Sequence, residues 1–259
     1  MGHLDVQTPS LAELLTRLEG AEDGAVVVPL LLGDGYHRAV DVPGVVAAAP
    51  GVRAVVTPGL SGAAATVGLA LHRRLREAEE RAADRADAVV MAAAGSTRPG
   101  GNDGALAAAA QLELLLGGGV PVRTAYCSAA RPTVPHAVAE LRAEGYRRVA
   151  VAAHLLAPGR FTAALPAAGA WAVTAPLADH PLIARAVLRR YALGQRELTV
   201  AGKWSPRGRG ELRESEGGSP ATEPPSASCT CCRSPARSSS RPRGDHVRSS
   251  RPRGDHVRS

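Results

Sequence analysis

A short polar stretch interrupts an apolar part of the sequence and carries side chains that could do acid–base or metal chemistry. Tyr36, His37 and Asp41 follow the apolar run at residues 26–32. A neutral imidazole near neutral pH accepts a proton or binds a divalent cation. His37 is therefore our candidate for both roles, although a surface histidine without a chemical role fits the position equally well.

The elements that must position this stretch alternate along the chain, which favours an α/β fold. Apolar runs predict strands at 25–32, 54–57, 88–94, 120–127, 148–153 and 170–175. Helices are predicted at 10–18, 62–82, 102–116, 134–143 and 180–191. Because polar residues do not alternate along the strands, we expect a parallel sheet that is buried on both faces. Ligands bind at the carboxyl ends of such strands, and His37 follows one of them.

The order of these elements repeats, so the sequence predicts two similar α/β halves. Residues 8–20 resemble 131–145, residues 26–44 resemble 149–169, and residues 54–60 resemble 172–177. The strand and helix predicted at 88–116 have no counterpart earlier in the chain. We therefore expect a first half at 1–85 that lacks its opening strand and helix, followed by a second half at 86–195.

The end of the chain differs in composition, and we expect a disordered tail at 205–259. It contains no Phe, Tyr, Trp, Ile or Met, and it closes with two identical copies of SRPRGDHVRS. Such a segment buries too little apolar surface to offset the entropy of ordering. Its cysteines, Cys229, Cys231 and Cys232, do not have the spacing of a zinc site. Cys127 is expected in the core.

The formal charge of the 259-residue chain, +7, lies mainly in this tail. Residues 205–259 carry +5 and residues 1–204 carry +2, and the tail offers no aromatic side chain for base stacking. A nucleic-acid partner is therefore not expected. The apolar runs are too short to cross a membrane, and the N-terminal residues do not resemble a secretory signal. These features predict a cytoplasmic protein.

Two other enzyme classes are not favoured by the motifs. The segment GSTRPGGN at 95–102 differs from a phosphate-binding P-loop, because its glycines are not followed by the lysine that the motif requires. The segment GLSGA at 59–63 differs from the G-x-S-x-G turn of serine hydrolases.

Four segments together resemble a known family. They are VVVPLLLGDGYHRAVDVP from Val26, MAAAGSTRP from Met91, HLLAPGRF from His154 and APLADHPLIARAVLRRY from Ala175. They are similar to the sirohydrochlorin chelatases of the CbiX/SirB type, over about residues 3–192. The resemblance implies two α/β halves with a tetrapyrrole in the cleft between them. It also implies an ATP-independent chelatase, a lyase, that inserts cobalt or ferrous iron into sirohydrochlorin for cobalamin or siroheme biosynthesis.

The resemblance implies that His37 acts as metal ligand and proton acceptor, with a second histidine in an HGS loop after the first strand. That strand has no counterpart in this sequence, and Ala94 stands at the equivalent place in the second half. Phe161 stands at the counterpart of His37, so the first half is expected to carry the chemistry. His3 precedes a different strand and is not favoured as a substitute. His154, at a position usually aromatic in the family, is expected to be structural, although it could line the cleft.

The implied substrate carries acetate and propionate groups, which call for hydrogen-bond donors and cations. Our candidate substrate-binding residues are Tyr36, Asp41, Ser96 and Arg160. Arg98 and Arg131 are further candidate cations. No cofactor is expected beyond the divalent metal that is inserted, and a homodimer is left open. The alternative function is an inactive or binding-only relative that holds a tetrapyrrole or a metal ion without inserting the metal.

Overall fold

The computed structural model describes residues 1–4 and 7–203. The predicted tail at 205–259, with its three cysteines, lies outside these residues, so its predicted disorder stays a prediction. The described chain forms an α/β fold with two parallel sheets, as expected from the sequence. None of its helices combines the length and apolarity that crossing a bilayer requires.

The first half carries a two-stranded parallel sheet within the described residues. Its elements are α1 (Leu11–Thr16), β1 (Ala25–Val27), a π-helical turn (His37–Asp41), α2 (Val42–Ala47), β2 (Ala54–Val56), a 3-10 turn (Leu60–Ala63) and α3 (Ala64–Ala82). β1 pairs with β2, with Val26 opposite Val55. α1 begins as predicted, because the Ser10 hydroxyl accepts from the Glu13 N–H at 3.1 Å.

The second half carries a four-stranded parallel sheet in the order β4-β3-β5-β6. Its elements are β3 (Ala88–Ala93), α4 (Asp103–Leu115), β4 (Val122–Tyr126), α5 (Val134–Ala143), β5 (Val149–His154), α6 (Arg160–Ala164), a 3-10 turn (Leu165–Ala168), β6 (Ala172–Val173) and α7 (Pro181–Lys203). β3 and β5 are buried along their whole length. This burial confirms the inference from their uninterrupted apolar sequence.

Equivalent hydrogen bonds confirm the internal repeat. The Leu60 N–H donates to the Leu31 carbonyl, and the Leu177 N–H donates to the Leu155 carbonyl, both at 2.9 Å. β1 and β2 of the first half are therefore the counterparts of β5 and β6. Within the described residues, β3 and α4 have no counterpart in the first half.

The beginning of the chain matches the end of β4. His3 forms an isolated parallel bridge with Ser10, just as Tyr126 forms one with Thr133. His3 thus occupies a structural position that corresponds to the last residue of β4 and lies just before a helix. This placement agrees with the expectation that His3 is not at the strand that the HGS loop follows in the family.

Each half packs its last helix against the sheet of the other half. Leu71 of α3 is fully buried in one cluster with Met91 of β3. α7 approaches the first sheet so closely that a Cβ atom at Gly194 would lie 2.5 Å from Cγ1 of Val26. The two halves therefore share their hydrophobic cores.

The sequence prediction differs from the structure at several places. β1 ends at Val27 and not at residue 32, and the next residue but one, Pro29, has no N–H to donate to a neighbouring strand. No helix was predicted in the segment after it, but this segment is helical through the π-helical turn and α2. α7 continues to Lys203, well past the predicted end at Tyr191. Cys127 is half-buried, directly after β4, and packs beside the core.

Candidate functional site

A cavity of about 280 Å³ lies between the two halves, beyond the carboxyl ends of β1, β3 and β5. The first half contributes residues 30–33, Gly35, His37 and Arg38 to its lining, and the second half contributes residues 93–96, Gly101, Asn102, Ala105 and residues 154–156. Five leucines and several alanines make most of the wall apolar. Such a cavity, with a few polar groups on apolar walls, has the character of a small-molecule site.

Glycines let the two walls of the cavity approach one another. A Cβ atom at Gly33 would lie 3.1 Å from the Gly101 carbonyl oxygen, and one at Gly35 would lie 3.5 Å from the Ser96 hydroxyl. The contact at Gly33 is tighter than a side chain normally makes, whereas the contact at Gly35 is an ordinary van der Waals distance, so Gly33 is the glycine that serves close packing of the halves.

His37 is held by Asp41 within one helical turn. The His37 Nδ1 lies 2.7 Å from the Asp41 Oδ2, and the His37 side chain is 52% exposed. An ionised carboxylate only accepts hydrogen bonds, so Nδ1 carries the proton and donates it. The lone pair of the neutral ring is therefore on Nε2, the atom that can bind a metal ion or accept a proton.

The helical turn explains why these two residues meet. The Val42 N–H donates to the His37 carbonyl, five residues back, which makes the turn π-helical. Residues about one turn apart share a face of a helix, so the spacing of His37 and Asp41 suits a side-chain pair. Arg38, also in this turn, pairs with Asp34 at 2.6 Å. No helix was predicted here. Asp41 was predicted as a substrate-binding residue, and the structure shows its carboxylate hydrogen-bonded to His37, so its substrate-binding role stays a prediction.

Ser96 lies on the opposite wall, in the loop after β3. Its hydroxyl accepts from the Arg98 N–H at 3.1 Å, and its carbonyl accepts from the Asn102 side chain at 2.9 Å. Gly95 precedes it with a φ of +93°, and a Cβ atom there would lie 2.0 Å from the Ser128 carbonyl oxygen. Only glycine fits this backbone, which turns the loop and places Ser96 on the cavity wall.

Tyr36 and Arg160, two further predicted substrate-binding residues, lie on exposed surface. Tyr36 is 63% exposed and precedes the π-helical turn. Arg160 begins α6, and its guanidinium lies 5.2 Å from the centre of the Phe161 ring. Neither residue lines the cavity. Arg131 lies on a separate polar groove with His136 and is also remote from the cavity lining.

The second half offers an apolar counterpart to the His37 turn. Phe161 follows Leu155 at the same spacing at which His37 follows Leu31, and these two leucines occupy equivalent positions in the repeat. Ala94, at the end of β3, brings only a methyl group to the cavity wall. The turn that carries a histidine and a carboxylate is therefore on the first half, and its catalytic role stays a prediction.

One residue of the cavity, His154, was expected from the sequence to be structural. His154 is the last residue of β5, is 4% exposed and lines the cavity. Burial lowers the pKa of His154 to about 4, so its imidazole is neutral at physiological pH. The signal was available in the sequence, because a histidine at the carboxyl end of a buried parallel strand falls where ligands bind.

The other buried histidine has a structural role. His180 is 3% exposed, and its Nδ1 accepts from the Leu182 N–H at 3.1 Å at the start of α7. Burial, and next the positive charge of Arg74, lower the pKa of His180. His136 is exposed on α5 and pairs with Glu140. Within the described residues, no group of three or more His, Cys, Asp or Glu side chains is arranged to hold a metal ion.

Comparison with known families identifies the chain. The sequence model of the CbiX family matches residues 1–78 and 88–193, which is well over half of the sequence. The chain belongs to the CbiX family. The break between the matched stretches falls between α3 and β3, where the two halves of this CbiX protein meet in sequence.

Several solved structures share the fold of this chain. The CbiX chain is similar to SirB from Bacillus subtilis with Fe³⁺, with a TM-score of 0.57, 20% identity, and coverage of 78% of this chain and 82% of that one. It is also similar to the sirohydrochlorin chelatase SirB from Bacillus subtilis subspecies spizizenii in complex with cobalt (TM-score 0.55, 19% identity, coverage 78% and 81%).

A third structure is CbiX, described as the terminal enzyme for biosynthesis of siroheme in denitrifying bacteria. Its TM-score is 0.51 at 20% identity, with coverage of 68% of this chain and 78% of that one. At these identities the structures show a shared fold. No curated protein sequence matches the chain.

Proposed function

We propose that this protein is a sirohydrochlorin chelatase that inserts a divalent metal, cobalt or ferrous iron, into the macrocycle without ATP. The observation that carries the proposal is the His37–Asp41 pair beside a cavity between the two halves. Membership of the CbiX family and a fold shared with SirB supply the substrate class. The products would serve cobalamin or siroheme biosynthesis.

The apolar wall suits the face of a flat macrocycle. Residues 30–32 of one half and residues 155–156 of the other present leucines to the same space. A volume of about 280 Å³ is at the low end for small-molecule pockets. A tetrapyrrole would therefore extend from the cavity, with its carboxylates toward solvent. Ser96 lies on the wall for polar contact, and exposed Tyr36 and Arg160 remain predicted contacts outside it.

Metal insertion removes two pyrrole N–H protons and delivers a divalent cation to the ring nitrogens. The neutral His37 ring, protonated at Nδ1, uses Nε2 to bind the cation or to take a pyrrole proton. Asp41 holds the ring in this tautomer and stabilises the imidazolium that protonation would form. Imidazole suits cobalt and ferrous iron alike, so we propose both as substrates.

A metal-insertion assay tests the proposal. Purified full-length protein is mixed with sirohydrochlorin and Co²⁺ or Fe²⁺, and the absorbance change of the macrocycle is followed. We expect protein-dependent insertion that His37→Ala reduces at least about 100-fold, in the range of a positioned acid–base group. His136→Ala, which removes an exposed histidine outside the cavity, is the control and should keep wild-type activity. Insertion that is unaffected by His37→Ala would overturn the role of His37.

The second candidate is a protein that binds a tetrapyrrole without metal insertion. Ala94 favours it, because this residue stands where the family resemblance implies another histidine. Sirohydrochlorin binding measured by fluorescence quenching, with no insertion of either metal, would establish this alternative over the chelatase.

A further inference from the structure

The proposed chemistry leaves one polar cavity residue unused. His154 lies at the carboxyl end of β5, on the part of the cavity wall that the second half provides. His37 belongs to the first half. Its counterpart in the repeat is Leu30, because Leu31 and Leu155 occupy equivalent positions. The cavity is therefore asymmetric at this pair of positions, with an isobutyl group on one half and an imidazole on the other.

The surroundings of His154 are those of a ligand rather than a solvated side chain. Only 4% of the residue is exposed, and it lies beside Leu155 and Leu156 of the same wall. A divalent cation that enters an apolar cavity loses water ligands, and a neutral nitrogen donor there compensates for them.

We propose that His154 is a second nitrogen ligand for the divalent metal in transit, provided by the second half opposite His37. This proposal rests on the proposed metal-inserting function, which it deepens. Two imidazoles, one from each half, would hold the cation above the macrocycle until the ring nitrogens replace them.

Cobalt binding without the tetrapyrrole tests this ligand role directly. Full-length protein is titrated with Co²⁺ alone, and binding is followed by the visible absorption of the bound ion. We expect His154→Leu, which introduces the side chain found at the equivalent Leu30, to weaken binding by at least about tenfold, since losing even an outer partner of a ligand costs 10–100-fold. His154→Gln, which keeps a polar group, should weaken it similarly, and His37→Ala should do the same.

The matched control is the other buried histidine. His180→Asn removes an imidazole outside the cavity and keeps a residue suited to the start of α7, so Co²⁺ binding should be unchanged. In the folded wild type, proton NMR with Co²⁺ should show paramagnetically shifted ring signals from two histidines. That measurement requires no variant.

The outcomes separate the two proposals. Wild-type Co²⁺ affinity in both His154 variants, shifted signals from one histidine only, or no Co²⁺ binding by the wild type would each overturn the ligand role. None of these results bears on insertion, which the sirohydrochlorin assay decides by itself. Conversely, two-histidine Co²⁺ binding without insertion would retain the ligand role and refute the chelatase.

Discussion

The His37 turn and its counterpart at Phe161 show how one backbone plan can carry two different chemistries. Both follow a parallel strand, both lie in a helical segment, and both come six residues after a leucine whose carbonyl accepts an equivalent hydrogen bond. On one side the turn presents an imidazole held by Asp41 at 2.7 Å. On the other it presents an aromatic ring covered by the Arg160 guanidinium. The fold fixes where the side chain stands, and the residue type decides whether it can do chemistry.

The asymmetry is reversed at the ends of β1 and β5. There the first half has Leu30, and the second half has the buried His154. Each half thus offers one imidazole, but at a different position of the repeat. The cleft is built from two halves that are similar in fold and complementary in chemistry.

The largest expected effect comes from exchanging the two turns. His37→Phe should reduce metal insertion about 10²–10⁴-fold, because it removes the proposed acid–base and ligand group. Adding Phe161→His to that variant should not restore activity, because no carboxylate stands one turn further along α6, where residues 162–165 are Thr, Ala, Ala and Leu. The double variant is assayed with sirohydrochlorin and Co²⁺. Recovery of activity would show that the halves are interchangeable.

A second prediction concerns stability. It compares His154 with leucine, which is the residue type at the equivalent position, Leu30, of the first half. The pKa of His154 falls from 6.5 to about 4 on folding, so only the unfolded chain binds this proton between those pH values. The free energy of unfolding should therefore decrease as pH falls below 6.5, by about 2 kcal/mol from this group between pH 7 and pH 5. His154→Leu should lack this contribution.

Urea unfolding of the wild type and His154→Leu at pH 7 and pH 5 measures the difference, because the other titrating groups are common to both proteins. Equal losses of stability in the two proteins would mean that the ring is protonated in the folded state.

A third, smaller effect is expected from the residue that positions His37. Asp41→Ala should reduce insertion about 10–100-fold, the usual range for the outer partner of a ligating histidine. Asp41→Asn should recover part of the loss, because the amide oxygen can still accept from Nδ1. The comparison of the two variants in the insertion assay separates ring orientation from charge. If both variants match the wild type, Asp41 has no positioning role.

The smallest effect is expected on the second half's exposed turn. Arg160→Ala should raise the KM for sirohydrochlorin by no more than about fivefold, since an exposed charge pair is worth about 0–1 kcal/mol. The kcat should stay unchanged, because Arg160 lies outside the cavity lining. Arg160→Lys should retain the wild-type KM. A large fall in kcat for Arg160→Ala would bring this residue into the chemistry.

The sequence predicted the fold well because buried parallel strands leave a strong apolar signal. All six predicted strands are present, and β3 and β5 lie within a residue of their predicted bounds. The helix from His37 to Ala47 was missed, because glycines before it and Pro43 within it are typical of loops. Pro43 in fact occupies the first turn of α2, where proline is tolerated.

The site was only partly predictable. The sequence singled out the stretch that contains His37 and Asp41, but it could not show that Ser96 and His154 share a cavity with His37, since their proximity depends on the packing of the two halves. Arg160 looked like a substrate ligand by charge and position, yet α6 places it on exposed surface. Long-range packing, which one sequence does not encode visibly, decides these cases.

α3 and α7 each pack against the sheet of the other half, and this packing affects how easily the two halves can move apart. Leu71 would have to leave the core that it shares with Met91 for the halves to swing apart, and burial of one leucine is worth about 1.5–3 kcal/mol. α7 resists the same movement at the close contact of Gly194 with Val26. Both contacts therefore oppose widening of the slot between the halves, and we expect a flat macrocycle to enter it edgewise.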